Sequence, residues 1–238
     1  METQPQDNPD NSPAPLVSVL VRSMNRPELR EALQSIEQQT WPNIEIVLVD
    51  ASGKGLSCHK DLTLRTPLRE ISDGIPRNRP AAANEALCKA RGEFMLFLDE
   101  DDWIAPEHIS NLARCLTDNG DIAVAYSATQ LITPAGKAQG EPLRIEFDPA
   151  RLQRDNFIPI HSALFRRSAV SAGGHFDENL EIFEDWDFWL QLSRLGSFTH
   201  VNEVTAFYRQ GGGSNTASQP PATRYQQGHP IATARAKV

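Results

Sequence analysis

No stretch of this chain approaches the roughly 20 apolar residues that a membrane-spanning helix needs. The longest candidates, residues 44–49 and 94–98, are strand-sized, so a bilayer span is not expected. Cysteine is scarce: Cys58, Cys88 and Cys115 are the only three in 238 residues, widely spaced and with no CxxC. That excludes a disulfide framework and suits reduced thiols in a cytoplasmic protein. Cys88 and Cys115 fall in helical patterns and are expected in the core. Positive charge is also short, with 23 Lys and Arg against 31 Asp and Glu and a net charge of −8. Binding to nucleic acid is therefore not expected, and an anionic substrate needs local cations. There is no P-loop and no GxGxxG after the first apolar run, no HxxxH among six histidines, and no EF-hand spacing in the acidic stretch. These absences disfavour P-loop NTPases, dinucleotide oxidoreductases, zinc sites and calcium sensors.

What is present is alternation. Residues 16–21 and 44–49 are short apolar runs rich in β-branched side chains, and both read as buried strands. Between them Pro27 opens a helix, with Asn25 or Arg26 near its cap and Leu29, Ala32, Leu33 and Ile36 on one face. A short strand is expected at 68–71 and a helix at 81–91, stopped by Gly92 in the C′ position. A strand follows at 94–98, then a helix from about Pro106 carrying Ile109, Leu112, Ala113 and Leu116, then a strand at 122–126. Such alternation predicts an α/β fold with a Rossmann-like, mostly parallel sheet flanked by helices. The second half is more broken, with strands expected at 144–147, 163–166, 198–201 and 204–208 and a helix at 184–195. Residues 1–15, with three acids, four prolines and no apolar core, read as a disordered leader, not a secretory signal. Residues 211–238 read as a flexible tail.

Three places could carry chemistry. Asp99, Glu100, Asp101 and Asp102 directly follow a buried strand, at the edge where α/β sheets place ligands. So many like charges repel unless a hard ion such as Mg²⁺ or Mn²⁺ neutralises them; the alternative is a solvated turn capping the next helix. Asp50 ends another strand and reaches the same edge, either as a ligand or as the cap of its own turn. Glu184 and Asp185 open a helix among Phe183, Trp186, Phe188 and Trp189. A carboxylate beside apolar rings suits a general base, or both acids simply complement the helix dipole. Trp186 is either core or a platform for a sugar ring, and His161 either lines a cleft or is structural.

Taken in order, Val17 to Val21, Asn25 to Pro27, Ile46 to Asp50, Asn84, Arg91 to Phe94, Phe97 to Trp103, Gly173 to Asp177 and Glu184 to Trp189 resemble the inverting glycosyltransferases of family 2. The resemblance runs over about residues 16–208. It implies a GT-A type fold, with a nucleotide-sugar-binding half at 16–126 and a smaller mixed acceptor-binding half at 127–210. The implied reaction moves a sugar from a nucleoside-diphosphate donor, a UDP-sugar first, to a saccharide or glycoconjugate hydroxyl in cell-surface polysaccharide or glycoconjugate synthesis. The implied place is the cytoplasm, or the inner face of the membrane as a peripheral protein.

By the same resemblance Asp185 is the catalytic base. Asp50, Arg79, Asn84, Asp99 and Glu100 meet the donor; His161, Glu184 and Trp186 meet the acceptor; Asp101 with Asp99 holds Mn²⁺ or Mg²⁺. The chain departs from the family pattern in three places. Arg22, Ser23 and Met24 replace the usual Pro-Thr-Tyr, Ala51 replaces the second of two acids, and the stretch Gln210 to Gly213 directly after Tyr208 and Arg209 holds no His. Two other functions share the scaffold: a sugar nucleotidyltransferase, and a catalytically silent carbohydrate-binding module.

Overall fold

The computed structural model describes residues 13–180 and 182–211. Most of the expected leader and tail thus lie outside the described residues. Residues 14 and 15 belong to the fold, because the Ala14 and Pro15 carbonyls accept hydrogen bonds from the Asn43 and Trp41 side chains at 2.8 and 2.9 Å.

The apolar runs form the strands β1 (Val17–Ser23), β2 (Ile44–Asp50), β3 (Leu68–Ile71) and β4 (Phe94–Asp99), all mutually parallel in the order β3-β2-β1-β4. The helices α1 (Leu29–Glu37), α2 (Arg79–Lys89) and α3 (His108–Asp118) alternate with them. A short strand β5 (Trp103–Ile104) precedes α3, and β6 (Ile122–Ile132) follows it. The later chain adds α4 (Pro149–Leu152), β7 (Ala163–Arg166), α5 (Arg167–Ser171), α6 (Glu184–Leu192) and β8 (Ser197–Arg209). The sheet is continuous through both halves: β7 inserts antiparallel between β4 and β6, β8 runs parallel to β6, and β5 closes the far edge.

Side-chain alternation sorts the core into two layers. Val17, Val19 and Val21 of β1 and Phe94, Leu96 and Leu98 of β4 face α1 and α3. Leu20, Met95 and Phe97 face α2 and α6. The expected α1 face, Leu29, Ala32, Leu33 and Ile36, is buried.

Several boundaries differ from the sequence reading. No side chain caps α1; Asn25, at φ +64°, instead accepts from the Ser57 and Cys58 backbone N–H groups at 2.8 and 3.0 Å. α2 starts earlier, at Arg79, because the Asn78 side chain accepts from Ala81 N–H at 3.0 Å. It ends at Lys89, so Gly92 is no C′ residue. A Cβ there would stand 2.5 Å from Ser18 N and 2.7 Å from Leu16 O, so glycine is needed for close approach to β1. Residues 144–147 form no strand; Ile145 and Phe147 are half-buried against the core instead. Cys88 is exposed and so is no core residue, whereas Cys115 is half-buried and packs against the α1–α3 layer of the core.

Candidate functional site

Parallel pairing brings the carboxyl ends of β1, β2 and β4 to one edge. Ser23 stands opposite Asp50, and Arg22 opposite Asp99. The four acids after β4 meet four different environments there. Asp99 accepts from Arg22 through both oxygens, Nε to Oδ1 at 2.8 Å and Nη2 to Oδ2 at 2.9 Å. Burial works against its charge, but Arg22 and Arg79 hold its pKa below the usual carboxylate value. Glu100 is buried and accepts from Ser23 Oγ at 2.6 Å and from the Met24 and Arg26 N–H groups at 3.0 Å, so it shapes the loop after β1. Asp102, also buried, accepts from Arg209 N–H at 2.8 Å and lies 3.1 Å from His161 Nδ1. Asp101 stays open to the crevice, with Arg26 Nη1 at 3.5 Å. Burial and the charges of Asp102 and Asp99 push its pKa up to about 6. A carboxylate strained in this way is stabilised by a cation.

Aromatic and cationic contacts anchor this turn. Trp103 stacks on Phe207 at 5.5 Å, Arg209 lies over Trp103 at 4.8 Å, and Arg209 Nε donates to the Asp101 carbonyl at 3.0 Å.

Facing it is the start of α6. Phe183, just before the helix, has φ 61° and ψ 23°, a left-handed conformation that costs a bulky residue on the order of 1–3 kcal/mol. Its buried ring packs edge-on to Trp186 at 5.6 Å, which retains the conformation. Glu184 lies 3.5 Å from Arg22 Nη1 and 3.6 Å from Arg79 Nε. Asp185 accepts from Asn156 Nδ2 at 3.0 Å and from Trp186 N–H at 2.8 Å. Burial raises the pKa of both carboxyls. In Glu184, repulsion from Asp185 adds to it and outweighs Arg22 and Arg79, pushing the value up to about 7. In Asp185 burial outweighs the hydrogen bonds from Asn156 and Trp186.

Two cavities open at this edge, of about 290 and 230 Å³. The first lies over the strand ends, with Met24, Arg26, Ala51, Arg77, Glu100 and Asp101 in its wall. The second has Ile145, Phe157, Ile160 and Ile182 as apolar lining and Asn156, His161, Glu184, Asp185 and Tyr208 as polar lining. Arg22, Arg79 and Asp99 line both.

Seven of the expected residues thus gather around one edge: Arg79, Asp99, Glu100, Asp101, His161, Glu184 and Asp185. Three others line neither cavity. Asp50 is 1 % exposed and accepts five hydrogen bonds, from Ser52 N–H and Oγ, Gly53 N–H, Gly55 N–H and Ser72 Oγ. Burial opposes its charge, yet the hydrogen bonds from Ser52, Gly55 and Ser72 lower its pKa; it caps its own turn. Asn84 exchanges hydrogen bonds with the Phe176 backbone and donates to Glu178, pinning α2 to that loop and lining neither cavity. Trp186 is fully buried, its Nε1–H donating to the Leu152 carbonyl at 2.7 Å, so it is core and offers no face to a sugar.

The glycosyl transferase family 2 model matches residues 18–174. The chain belongs to this family. A Bacillus subtilis relative, the uncharacterized glycosyltransferase YwdF, is 25% identical over 221 residues, covering 88% of this chain and 80% of that protein. Among solved structures, the mannosyltransferase PcManGT of Pyrobaculum calidifontis, captured with GDP-Man and Mn²⁺, superimposes with a TM-score of 0.67 at 18% identity, over 98% of this chain and 68% of that one. S. aureus TarS 1-349 with UDP-GlcNAc gives 0.65 at 19% identity, over 86% of this chain and 61% of that one, so this chain spans under two thirds of it. At such identities the solved structures establish a shared GT-A fold.

Among the described residues of this glycosyltransferase, no three His, Cys, Asp or Glu side chains converge to hold an ion by themselves. Asp99, Glu100 and Asp102 are committed to Arg22, the β1 loop, and Arg209 with His161. Asp101 remains, and one carboxylate fits an ion that takes its other ligands from substrate phosphates and water. The sequence reading missed two features of the site. Asn156 lies in an unpatterned stretch and gave no signal. Arg22 gave one, as a cation at the end of an otherwise apolar strand.

Proposed function

We propose that this family 2 member is an inverting glycosyltransferase that moves a sugar from a nucleoside-diphosphate donor, a UDP-sugar first, to a hydroxyl of a saccharide or glycoconjugate. The observation that carries the reading is the pair of cavities with a common wall, Asp101 on one side and Asp185 on the other. Nucleotide and diphosphate occupy the crevice over β1, β2 and β4. The acceptor occupies the cavity before α6. Its hydroxyl oxygen attacks the anomeric carbon, the carbon–oxygen bond to the diphosphate breaks with its electron pair leaving on phosphate, and the proton passes to Asp185. One displacement inverts the anomeric centre.

Asn156 and the Trp186 N–H orient the Asp185 carboxylate, and the raised pKa values of Glu184 and Asp185 suit proton acceptance near neutral pH. Holding the acceptor in line makes the encounter effectively unimolecular. A divalent ion held by Asp101, Mn²⁺ or Mg²⁺, supplies charge neutralisation at the leaving diphosphate when bound. Among the described residues no helix is long and apolar enough to cross a membrane. From the family resemblance we place the activity in the cytoplasm or, as a peripheral protein, at the membrane's inner face.

The test is a screen of UDP- and GDP-sugars with Mn²⁺ and a saccharide panel, read by nucleoside-diphosphate release and by product stereochemistry. The reading expects release with one donor class and an inverted product. Release of pyrophosphate from a nucleoside triphosphate and a sugar phosphate, or a retained anomeric configuration, would contradict it.

A further inference from the structure

Arg22 is a buried cation at the end of β1, 6 % exposed, in the wall that separates the two cavities. A guanidinium is rarely buried without a reason, because desolvation must be offset by close partners. Its partners are Asp99, through two hydrogen bonds, and Glu184 at 3.5 Å. Arg79, the first residue of α2, reaches the same Glu184 oxygen at 3.6 Å with its own side chain 43% exposed. Two guanidiniums thus face two carboxylates at the junction, and both cations border the crevice that holds Asp101.

A donor diphosphate carries its negative charge into this junction, since its anomeric carbon must lie between the two cavities for transfer to occur. The planar fork of arginine matches phosphate oxygens as well as it matches a carboxylate. Resting on the donor reading above, we propose that Arg22 and Arg79 form a two-arginine clamp for the donor's diphosphate. As donor enters, Arg22 exchanges Asp99 for a phosphate oxygen. The exchange leaves Asp99 free to accept hydrogen bonds from donor hydroxyl groups. The clamp acts through the protein's own charges, so it holds a diphosphate whether or not an ion sits at Asp101. It also assigns a role to the departure at position 22.

The experiment is titration calorimetry of the full chain with inorganic pyrophosphate, UDP and GDP, each in EDTA and in Mn²⁺. The wild type is expected to bind pyrophosphate and at least one nucleoside diphosphate in EDTA. Arg79→Gln and Arg22→Lys are each expected to weaken that binding about tenfold, and Arg22→Gln up to about a hundredfold. Arg22→Lys keeps a charge beside Asp99 and loses the fork, which separates phosphate recognition from simple neutralisation. Arg22→Gln leaves the half-buried Asp99 and the buried Glu184 short of a partner. If it does not melt cooperatively, Arg79→Gln and Arg22→Lys decide. Unchanged EDTA affinities in those variants would overturn the clamp and leave Arg22 as a strut between Asp99 and Glu184. Nucleoside-diphosphate binding in Mn²⁺ with no pyrophosphate binding in EDTA would overturn the clamp and keep the donor reading. Absence of nucleoside-diphosphate binding in both conditions would overturn both.

Discussion

Asp185 is the side chain on which the proposed chemistry turns, because it combines a raised pKa, two orienting hydrogen bonds and a place in the cavity before α6. Asp185→Asn keeps the shape and removes the base. Transfer is expected to fall by about 10²–10⁴-fold with donor affinity little changed, as measured by nucleoside-diphosphate release and calorimetry. The pH profile follows from the same carboxyls. With Glu184 pushed up to about 7, the neighbouring pair holds a proton in acid, so transfer should rise as pH increases toward neutrality and level off above it. A profile flat from pH 5 to 8 would contradict that assignment. His108 offers a stability test at a ring that lines neither cavity. Its ring is fully buried, with Nδ1 2.8 Å from Thr205 Oγ1, and burial, then His161, lowers its pKa to about 3. The unfolded chain takes up this proton below about pH 6.5 and the folded chain does not, so stability is present above that pH and is lost as pH falls toward 3. The slope is about 1.4 kcal/mol per pH unit, and His108→Gln should flatten it in denaturant melts.

At the scale of elements, what decides the site is how closely the strands approach and what holds the turns at their ends. Gly92→Ala puts a methyl group against the backbone of Leu16, Ser18 and Phe94, atoms that cannot move aside as a side chain would. The expected cost is about 1–3 kcal/mol, read as a lower melting temperature, and the strained β1–β4 register should weaken donor binding too. The four parallel strands and the α1 face were legible because their apolar residues sit where a buried strand or one helical face requires them. The later chain was harder to read for physical reasons. β8 looks like two strands because Asn202 and Glu203 interrupt its apolar pattern. They form a bulge, since Val201 pairs with Ser127 and Val204 with Ala128. Residues 144–147 have strand composition but bury Ile145 and Phe147 without joining the sheet. The acidic cluster was legible by position. Which of its members the fold pairs internally was not, because that depends on Arg22, Arg209, His161 and the β1 loop, brought together only by folding.

On the scale of the whole molecule, one sheet runs through both halves, so the crevice over β1, β2 and β4 and the cavity before α6 share a rigid frame. Asp50, Asn84 and Trp186 belong to that frame, holding the 50–55 turn, the α2 contact with residues 176–178, and the core under α6. In the proposed reaction donor and acceptor therefore meet at a fixed boundary, where Arg22, Arg79 and Asp99 stand. A crystal structure of the Asp185→Asn protein with Mn²⁺ and its donor sugar tests this most directly. The account predicts the diphosphate between Asp101 and the two arginines, with the sugar's anomeric carbon facing residue 185 across an open acceptor cavity. A donor bound outside the crevice, or an anomeric carbon turned away from residue 185, would contradict it.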